Sequence, residues 1–374
     1  MKLVFIDNLK EGMVVAKAVY SPNIMEQGAP LVEKNTPATA MIIESLYKHG
    51  IRFVYIDEIQ TKRRQEALRA THSRFPPIPK AKPLINEKLR NRAVENLQTA
   101  FEAFSIGDVH QSAQIVKQLD FVVGQLVESL VNEKGTFVSI NDLKSYDEYT
   151  FHHSLSVAVL SIAIGQYLNF CRQELHRLGM CSIMHDIGKT AVPLEIIQKP
   201  SRLTDEEFDI IKGHSHAGME YLLQSSIADK HVHLGVLAHH EKLDGTGYPN
   251  KLAGDEIPVW SRIISVADVY DALTSARPYR NPMQPSEAIE YIMGGTGTLF
   301  DYDMVNALLK KVELYPVGSN LELSNGKFVV VVNNANQMRP VVRYLDTGEI
   351  VDLYDRNMLN VVVTRLIPDD ALKA

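Results

Sequence analysis

Cysteine is scarce in this chain, because only Cys171 and Cys181 occur among 374 residues. Two thiols cannot cross-link a chain of this length, so a disulfide scaffold is excluded and a pair of reduced core cysteines is expected. No uninterrupted apolar run approaches the ~18 residues of a membrane-spanning helix. The N-terminus also lacks the basic-then-apolar pattern of a signal peptide, which favours a cytoplasmic location without a membrane span.

The chain also has little excess charge. Its net charge is −6, which provides no overall attraction to a DNA or RNA polymer or to an anionic membrane. A small anionic ligand would have to bind through local cations or a metal. An apolar content of 45% and a charged content of 22% are those of an ordinary globular protein, and the length suggests two or three domains.

The pattern of apolar residues and turns divides the chain into five segments. They are a small α/β N-terminal domain (1–72), a proline-rich linker (73–84), a helical connector (85–134), a helical domain (135–313) and a small β-rich C-terminal subdomain (314–374).

The first segment contains two predicted strands, Met13–Ala16 and Phe53–Ile56, with a helix between them that stops at Gly50. In the last segment, three β-branched runs are separated by turn residues and predict a small barrel or sandwich. These runs are Phe328–Val332, Val341–Tyr344 and Val361–Leu366.

The connector is predicted to form two long helices broken near 107–108. An apolar stripe on the second helix is either intramolecular core or a homodimer seam, and the sequence leaves both open. The stripe consists of Leu119, Val122, Val123, Leu126, Val127 and Leu130. After the connector, Leu155–Leu168 is apolar almost all round, which predicts a buried helix.

Histidine is concentrated between positions 152 and 240, where all histidines lie except His49, His72 and His110. Imidazoles and carboxylates are the usual ligands of borderline divalent metals, so a metal-dependent enzyme is the first hypothesis. Taken singly, His153 and His214 are more typical of satisfied core histidines. Asp268 alone is more typical of an exposed face or a helix cap.

Taken together, a series of motifs in one order resembles the HD-GYP family, a subgroup of the HD-superfamily metal phosphohydrolases. The series includes 149–154 (YTFHHS), 185–189 (HDIGK), 203–207 (LTDEE), 212–214 (KGH), 239–241 (HHE), 244–249 (DGTGYP), 268–273 (DVYDAL) and 277–280 (RPYR). The resemblance implies a mainly α fold: a helical HD-GYP core with a small N-terminal α/β domain and a small C-terminal β appendage.

The resemblance also implies the ligands of two metals. His153, His185, Asp186 and Asp268 would hold one metal, and Asp186, His214, His239 and His240 the other. Some family members hold a third metal through a glutamate one helical turn before the first histidine. Tyr149 stands at that position here, so two divalent ions are expected, with iron or manganese favoured and zinc, nickel, cobalt or magnesium possible.

The remaining roles concern the substrate. By the resemblance, Asp186 and Lys189 are catalytic, and Lys189 also binds a phosphate oxygen. Gly247 and Tyr248 would approach the nucleotide, and Arg277 and Arg280 would contact phosphate and guanine. Without the family, these residues are typical of a solvated lysine, a plain turn and surface arginines. Asp271 is expected to orient a ligand.

The implied function is a phosphodiesterase that hydrolyses cyclic di-GMP to pGpG, and further to GMP, through a hydroxide activated by two metals. Two alternatives stay open: the same chemistry on another cyclic or linear dinucleotide, and a receptor that binds cyclic di-GMP without cutting it. Signalling proteins are further possible partners of the flanking segments.

Overall fold

The computed structural model describes residues 1–10, 12–21, 30–38, 40–63, 78, 84–106, 109–132, 138, 149–199, 201–225, 227, 229–275 and 282–367. Its described part is mainly helical and has a small N-terminal strand pair and a small C-terminal sheet. The predicted fold class is confirmed.

Two compact units divide the chain. One contains the described parts of 1–81, 280–284 and 314–374, and the other those of 82–279 and 285–313. The terminal segments, which the sequence analysis treats as separate domains, therefore belong to one unit. The five-segment division stays a prediction.

The N-terminal part of the unit formed by the two terminal segments is an antiparallel strand pair with one helix, α1 (Ala40–Lys48). Strand β1 (Lys2–Phe5) pairs with β2 (Phe53–Ile56), which confirms the second predicted strand. The predicted strand at Met13–Ala16 is wrong, because Val14 forms only an isolated bridge and its N–H donates to Thr61 Oγ1. A strand needs continuous pairing with one neighbour, and this segment changes partners.

The C-terminal part is one antiparallel sheet in the order β6-β5-β4-β3-β7. Its strands are β3 (Asn320–Leu323), β4 (Phe328–Asn333), β5 (Val341–Tyr344), β6 (Ile350–Asp352) and β7 (Val363–Ile367). The three predicted strands are present, and the short β3 and β6 were missed. Gly326, between β3 and β4, and Gly348, between β5 and β6, have φ of +78°, a conformation that glycine adopts without steric cost.

The helical unit contains eleven described helices. They are α2 (Glu87–Ile106), α3 (Val109–Asn132), α4 (Tyr149–Tyr167), α5 (Arg172–Ile183), α6 (Leu194–Ile197), α7 (Asp205–Lys212), α8 (His214–Gln224), α9 (Lys230–Ala238), α10 (Val259–Thr274), α11 (Pro285–Gly294) and α12 (Tyr302–Lys311). Among the described residues, none of the helices is both long and apolar enough to cross a membrane.

The helical connector consists of α2 and α3, so its two predicted long helices are confirmed, and the predicted break near 107–108 lies outside the described residues. All six side chains of its apolar stripe are at most 3% exposed within a single chain. Helix α3 packs against α2, α4 and α5. The stripe is therefore intramolecular core, and a homodimer through the connector would need a different surface.

Helix α4 is the centre of this unit. Its side chains from Leu155 to Ile164 are at most 2% exposed, which confirms the predicted buried helix. It packs against α5, α10 and α12. Because other helices surround α4, His153 near its N-terminus lies in the interior of the unit.

The two cysteines are free, as expected, but only one belongs to the core. Cys181 is buried in α5 and Cys171 is exposed. The expectation of two core cysteines is wrong for Cys171, which precedes α5 and donates its N–H to Glu174.

Candidate metal centre

Seven side chains from five parts of the helical unit converge in its interior. They form two groups, and within each group the nitrogen or carboxylate oxygen atoms that could bind a metal lie within 4.8 Å of one another. The first group is His153, His185 and Asp268, and the second is Asp186, His214, His239 and His240. The structure thus brings together every residue that the sequence proposes as a metal ligand.

Asp186 lies between the two groups. Its Oδ2 is 3.6 Å from His153 Nε2 and 3.4 Å from His185 Nε2, and its Oδ1 is 3.4 Å from His214 Nε2. Burial alone would raise the pKa of Asp186, but the charges of Lys189 and His185 hold it well below its usual value. The carboxylate is therefore ionised, with one oxygen facing each group.

Three of the imidazoles are oriented by main-chain carbonyls. The Nδ1–H groups of His185, His214 and His239 donate to the carbonyls three residues earlier in the chain, over 2.8, 2.6 and 2.6 Å. Those carbonyls lie in the last turns of α5, α7 and α9, where helices leave acceptors without intrahelical partners. A carbonyl only accepts hydrogen bonds, so Nδ1 carries the proton and each Nε2 lone pair points into the cluster.

His153 is oriented by a carboxylate instead. Its Nδ1 is 2.7 Å from Asp271 Oδ2, and its Nε2 is 3.1 Å from Asp268 Oδ1. Burial lowers the pKa of His153, but hydrogen bonds to Asp268 and Asp271 outweigh burial and raise it to about 9. A cation that binds Nε2 must therefore displace a proton. Asp271 contacts a predicted ligand, as the sequence analysis expects.

The donor set fits divalent cations. His214 Nε2 and His239 Nε2 face each other at 3.3 Å, and burial lowers the pKa of both imidazoles, so two lone pairs meet there. His185 Nε2 and Asp186 Oδ1 are buried without a hydrogen-bond partner among the described residues. Acceptors that point at one another in a buried site repel unless a cation lies between them.

The cluster opens to solvent on the side of Lys189, His240 and Tyr248. The side chains of Lys189 and His240 are 30% and 25% exposed, whereas that of His153 is 3% exposed. Lys189 Nζ lies 2.5 Å from Asp186 Oδ2. The Tyr248 ring lies against His240 with centroids 4.7 Å apart. Burial and the charges of Asp268 and Asp186 raise the pKa of Tyr248, so its hydroxyl stays protonated.

The loop that carries Tyr248 is held by Glu241, a role that sequence reasoning missed. The Glu241 carboxylate is buried and accepts hydrogen bonds from the backbone N–H groups of Asn250 and Leu252 over 2.7 and 3.1 Å. A Cβ on Gly247 would lie 2.4 Å from Glu241 Cα. Gly247 therefore allows two backbone segments to touch, and its contact with substrate stays a prediction.

Gly188 was also missed as a structural requirement. A Cβ at this position would lie 1.9 Å from the His214 carbonyl oxygen and 2.4 Å from the Gly218 nitrogen. The turn after Asp186 can therefore pack directly on α8, which carries His214. The sequence signal for this close packing is the position of Gly188, two residues after Asp186.

Some predicted residues are not part of the described site. Arg277 and Arg280 lie outside the described residues, so their substrate contacts stay predictions. The other described histidines of this region belong to neither group: His152, His176, His216, His231 and His233.

Comparisons with known proteins find a family model, relatives and a solved structure that resemble parts of this chain. A family model described as the HD domain matches residues 138–304. A cyclic di-GMP phosphodiesterase of Pseudomonas aeruginosa is 38% identical over 211 residues, which is 56% of this chain and 51% of that protein. A 3′3′-cGAMP-specific phosphodiesterase of Vibrio cholerae is 38% identical over 180 residues, 48% of this chain and 38% of that protein.

One solved structure supports the fold alone. An HDG"Y"P protein from Bdellovibrio bacteriovorus aligns with a TM-score of 0.50 and 16% identity, and the alignment covers 82% of this chain and 97% of that protein.

The chain spans about half the length, or less, of these curated relatives. The family model described as the HD domain and the motifs that resemble the HD-GYP family fall within the same residues, 138–304.

Proposed function

We propose that this protein is a metal-dependent phosphodiesterase that hydrolyses cyclic di-GMP to pGpG, and further to GMP. The observation that carries the proposal is the position of Asp186, whose two oxygens face two separate groups of imidazoles. The named activity of the Pseudomonas aeruginosa relative supports cyclic di-GMP as the substrate.

Two divalent ions fit this arrangement, one in each group. Mixed imidazole and carboxylate ligation suits iron or manganese, with zinc, nickel, cobalt or magnesium as alternatives. When bound, such ions would polarise the phosphoryl oxygens and lower the pKa of a water molecule that attacks phosphorus.

The chain's own residues prepare the site for those ions. Burial lowers the pKa of His239 and lowers that of His240 to about 3, so both rings are unprotonated at neutral pH and can donate lone pairs. Asp186 and Asp268 are ionised and balance cationic charge. Imidazoles fixed before binding lose little freedom when they bind an ion.

Lys189 and Tyr248 would act on the substrate at the open side. The Lys189 ammonium is held beside Asp186 and reaches solvent, so its remaining N–H groups can donate to a phosphate oxygen and offset negative charge in the transition state. The protonated Tyr248 hydroxyl can donate to the nucleotide. Arg277 and Arg280 would add contacts to phosphate and guanine.

The decisive experiment measures metal content and turnover in the same sample. Anaerobically purified protein should contain two equivalents of metal and hydrolyse cyclic di-GMP. Asp186→Ala should lose both properties, because it removes the carboxylate that faces both groups. Asp255→Ala is a suitable control, since Asp255 is a fully exposed acid in the same unit. Unchanged turnover by Asp186→Ala would refute the enzymatic proposal.

A second substrate class has specific support. The Vibrio cholerae relative that is 38% identical is named for 3′3′-cGAMP. The same chemistry would then act on a guanine–adenine cyclic dinucleotide or on linear pGpG. Comparing kcat/KM across cyclic di-GMP, 3′3′-cGAMP and pGpG distinguishes these substrates.

A receptor that binds cyclic di-GMP without cutting it is the alternative from another class. Such a protein has no need for a complete set of metal ligands, and here all seven predicted ligands are present in one cluster. Binding without turnover in metal-loaded protein would favour the receptor. A cytoplasmic location, signalling partners and a homodimer stay predictions.

A further inference from the structure

Helix α7 presents a large aromatic side chain that the proposed chemistry does not use. Phe208 is 43% exposed, and no residue of α7 is fully buried. The helix is held by local interactions: Thr204 and Glu207 form a capping box at its N-terminus. Anchoring the helix in a core therefore does not explain a phenylalanine at this position.

Phe208 continues a row of rings that starts at the metal ligands. The Tyr248 ring lies 4.7 Å from that of His240, with 32° between the planes. The Phe208 ring is next, with its centroid 6.2 Å from that of Tyr248 and its plane at 84°. The row thus leads from the partly open edge of the cluster to an exposed ring on the surface.

A cation lies beside the outer ring. Lys212 Nζ is 4.7 Å from the Phe208 centroid and forms an ion pair with Asp209 over 2.6 Å. An aromatic surface with an ammonium group next to it suits a ligand that combines flat bases with phosphates. Lys212 and Tyr248 leave 43% of Phe208 exposed, and covering this apolar surface with a ligand would be favourable.

We propose that Phe208 is a stacking surface for a purine of the cyclic dinucleotide, and so a residue that determines substrate affinity. The inference rests on the proposed function, because it requires a nucleotide whose phosphate lies at the His240 edge of the cluster. One base then extends along Tyr248 towards Phe208. Stacking on an aromatic ring tolerates either purine, so Phe208 recognises the class of substrate rather than guanine itself.

The test compares four variants by steady-state kinetics with cyclic di-GMP. Phe208→Ala should raise KM roughly 5- to 150-fold, the range that corresponds to the loss of one base–aromatic stack, and leave kcat within about threefold. Phe208→Leu keeps apolar bulk without a flat face and should resemble Phe208→Ala. Phe208→Trp keeps a flat aromatic face and should have a KM close to that of the wild-type protein. Ile210→Ala is the matched control, because Ile210 is 47% exposed on the same helix, and it should not change KM.

A spectroscopic readout separates contact from helix stability. Phe208→Trp adds a second indole to a chain with one tryptophan, and stacking on a purine should quench its emission when cyclic di-GMP is mixed in by stopped flow. Ile210→Trp should show no quenching.

Three results would overturn the inference while the proposed function stands: wild-type turnover with an unchanged KM in Phe208→Ala, equal effects of Phe208→Ala and Ile210→Ala, or no quenching in Phe208→Trp. Failure of metal-loaded wild-type protein to hydrolyse any cyclic dinucleotide would instead refute the proposed function itself.

Discussion

Replacing Asp271 by asparagine tests whether the cluster is a metal site held by its surroundings. Asp271 touches the cluster through a single contact, from its Oδ2 to His153 Nδ1 over 2.7 Å. The change keeps the size of the side chain and removes the charge. His153 should then be held less firmly, and its Nε2 should become a weaker donor to a cation.

The magnitude follows from that one contact. A hydrogen bond to a charged group contributes about 1.5–3 kcal/mol, which corresponds to roughly 10- to 150-fold in a binding constant. Outer contacts to a ligand histidine alter metal affinity by about 10- to 100-fold in general. We therefore expect Asp271→Asn to weaken metal binding by roughly 10- to 100-fold, and to lower the pKa of His153 from about 9.

Metal titration by calorimetry under anaerobic conditions measures the first effect, and NMR of the histidine ring in chelated protein measures the second. Asp301→Asn is the control, because Asp301 is a mostly buried acid that pairs with Arg262 and caps α12. Asparagine can still cap the helix, so the change should lose only the ion pair with Arg262, at a cost of up to about 1 kcal/mol of stability, and leave metal affinity unchanged. Equal metal affinity in Asp271→Asn and wild-type protein would refute the reasoning.

Further predictions concern pH, the lysine and the tight turn. Folding raises the pKa of His153 to about 9, so in metal-free protein the stability that its protonated ring contributes should be complete below pH 6.5 and be lost as the pH rises through about 9. Urea unfolding at a series of pH values should show a loss of at most about 3 kcal/mol. A free energy of unfolding that does not change over this pH range would contradict the prediction. Lys189→Met should keep its metal and lower kcat by roughly 10²- to 10³-fold, as measured by metal analysis and turnover. Gly188→Ala should lower the free energy of unfolding by roughly 1–3 kcal/mol or more, because its Cβ would meet the His214 carbonyl; an unchanged urea midpoint would show that the turn can relax.

The sequence predicted the parts of the site that depend on residue type. Imidazoles and carboxylates are identifiable from the sequence, and the resemblance assigned seven of them to two groups, which are close together in the structure. The sequence also predicted the buried helix α4, which is apolar almost all round, and the apolar stripe on α3, because the distribution of apolar residues around a helix indicates which sides are buried.

The features that could not be predicted from the sequence depend on which segments of the backbone lie next to each other in the fold. Nothing in residue type marks the Glu241 carboxylate as the acceptor for two N–H groups in the next turn. The false strand at Met13–Ala16 has the composition of a strand, and only its changing partners exclude one. The short strand β1 was missed because its four residues show too weak an alternation of apolar and polar side chains to detect.

The carbonyls that orient His185, His214 and His239 have a consequence for how this site tolerates mutation. A main-chain oxygen is present whatever side chain its residue carries, so replacing Ser182, Ile211 or Val236 leaves the acceptor in place. Substitutions at these three positions would therefore leave the three imidazole rings in the same orientation, provided that the helix ends keep their conformation. His153 differs, since its Nδ1 contact is a side chain, and we expect genetic variation to damage the centre most readily there.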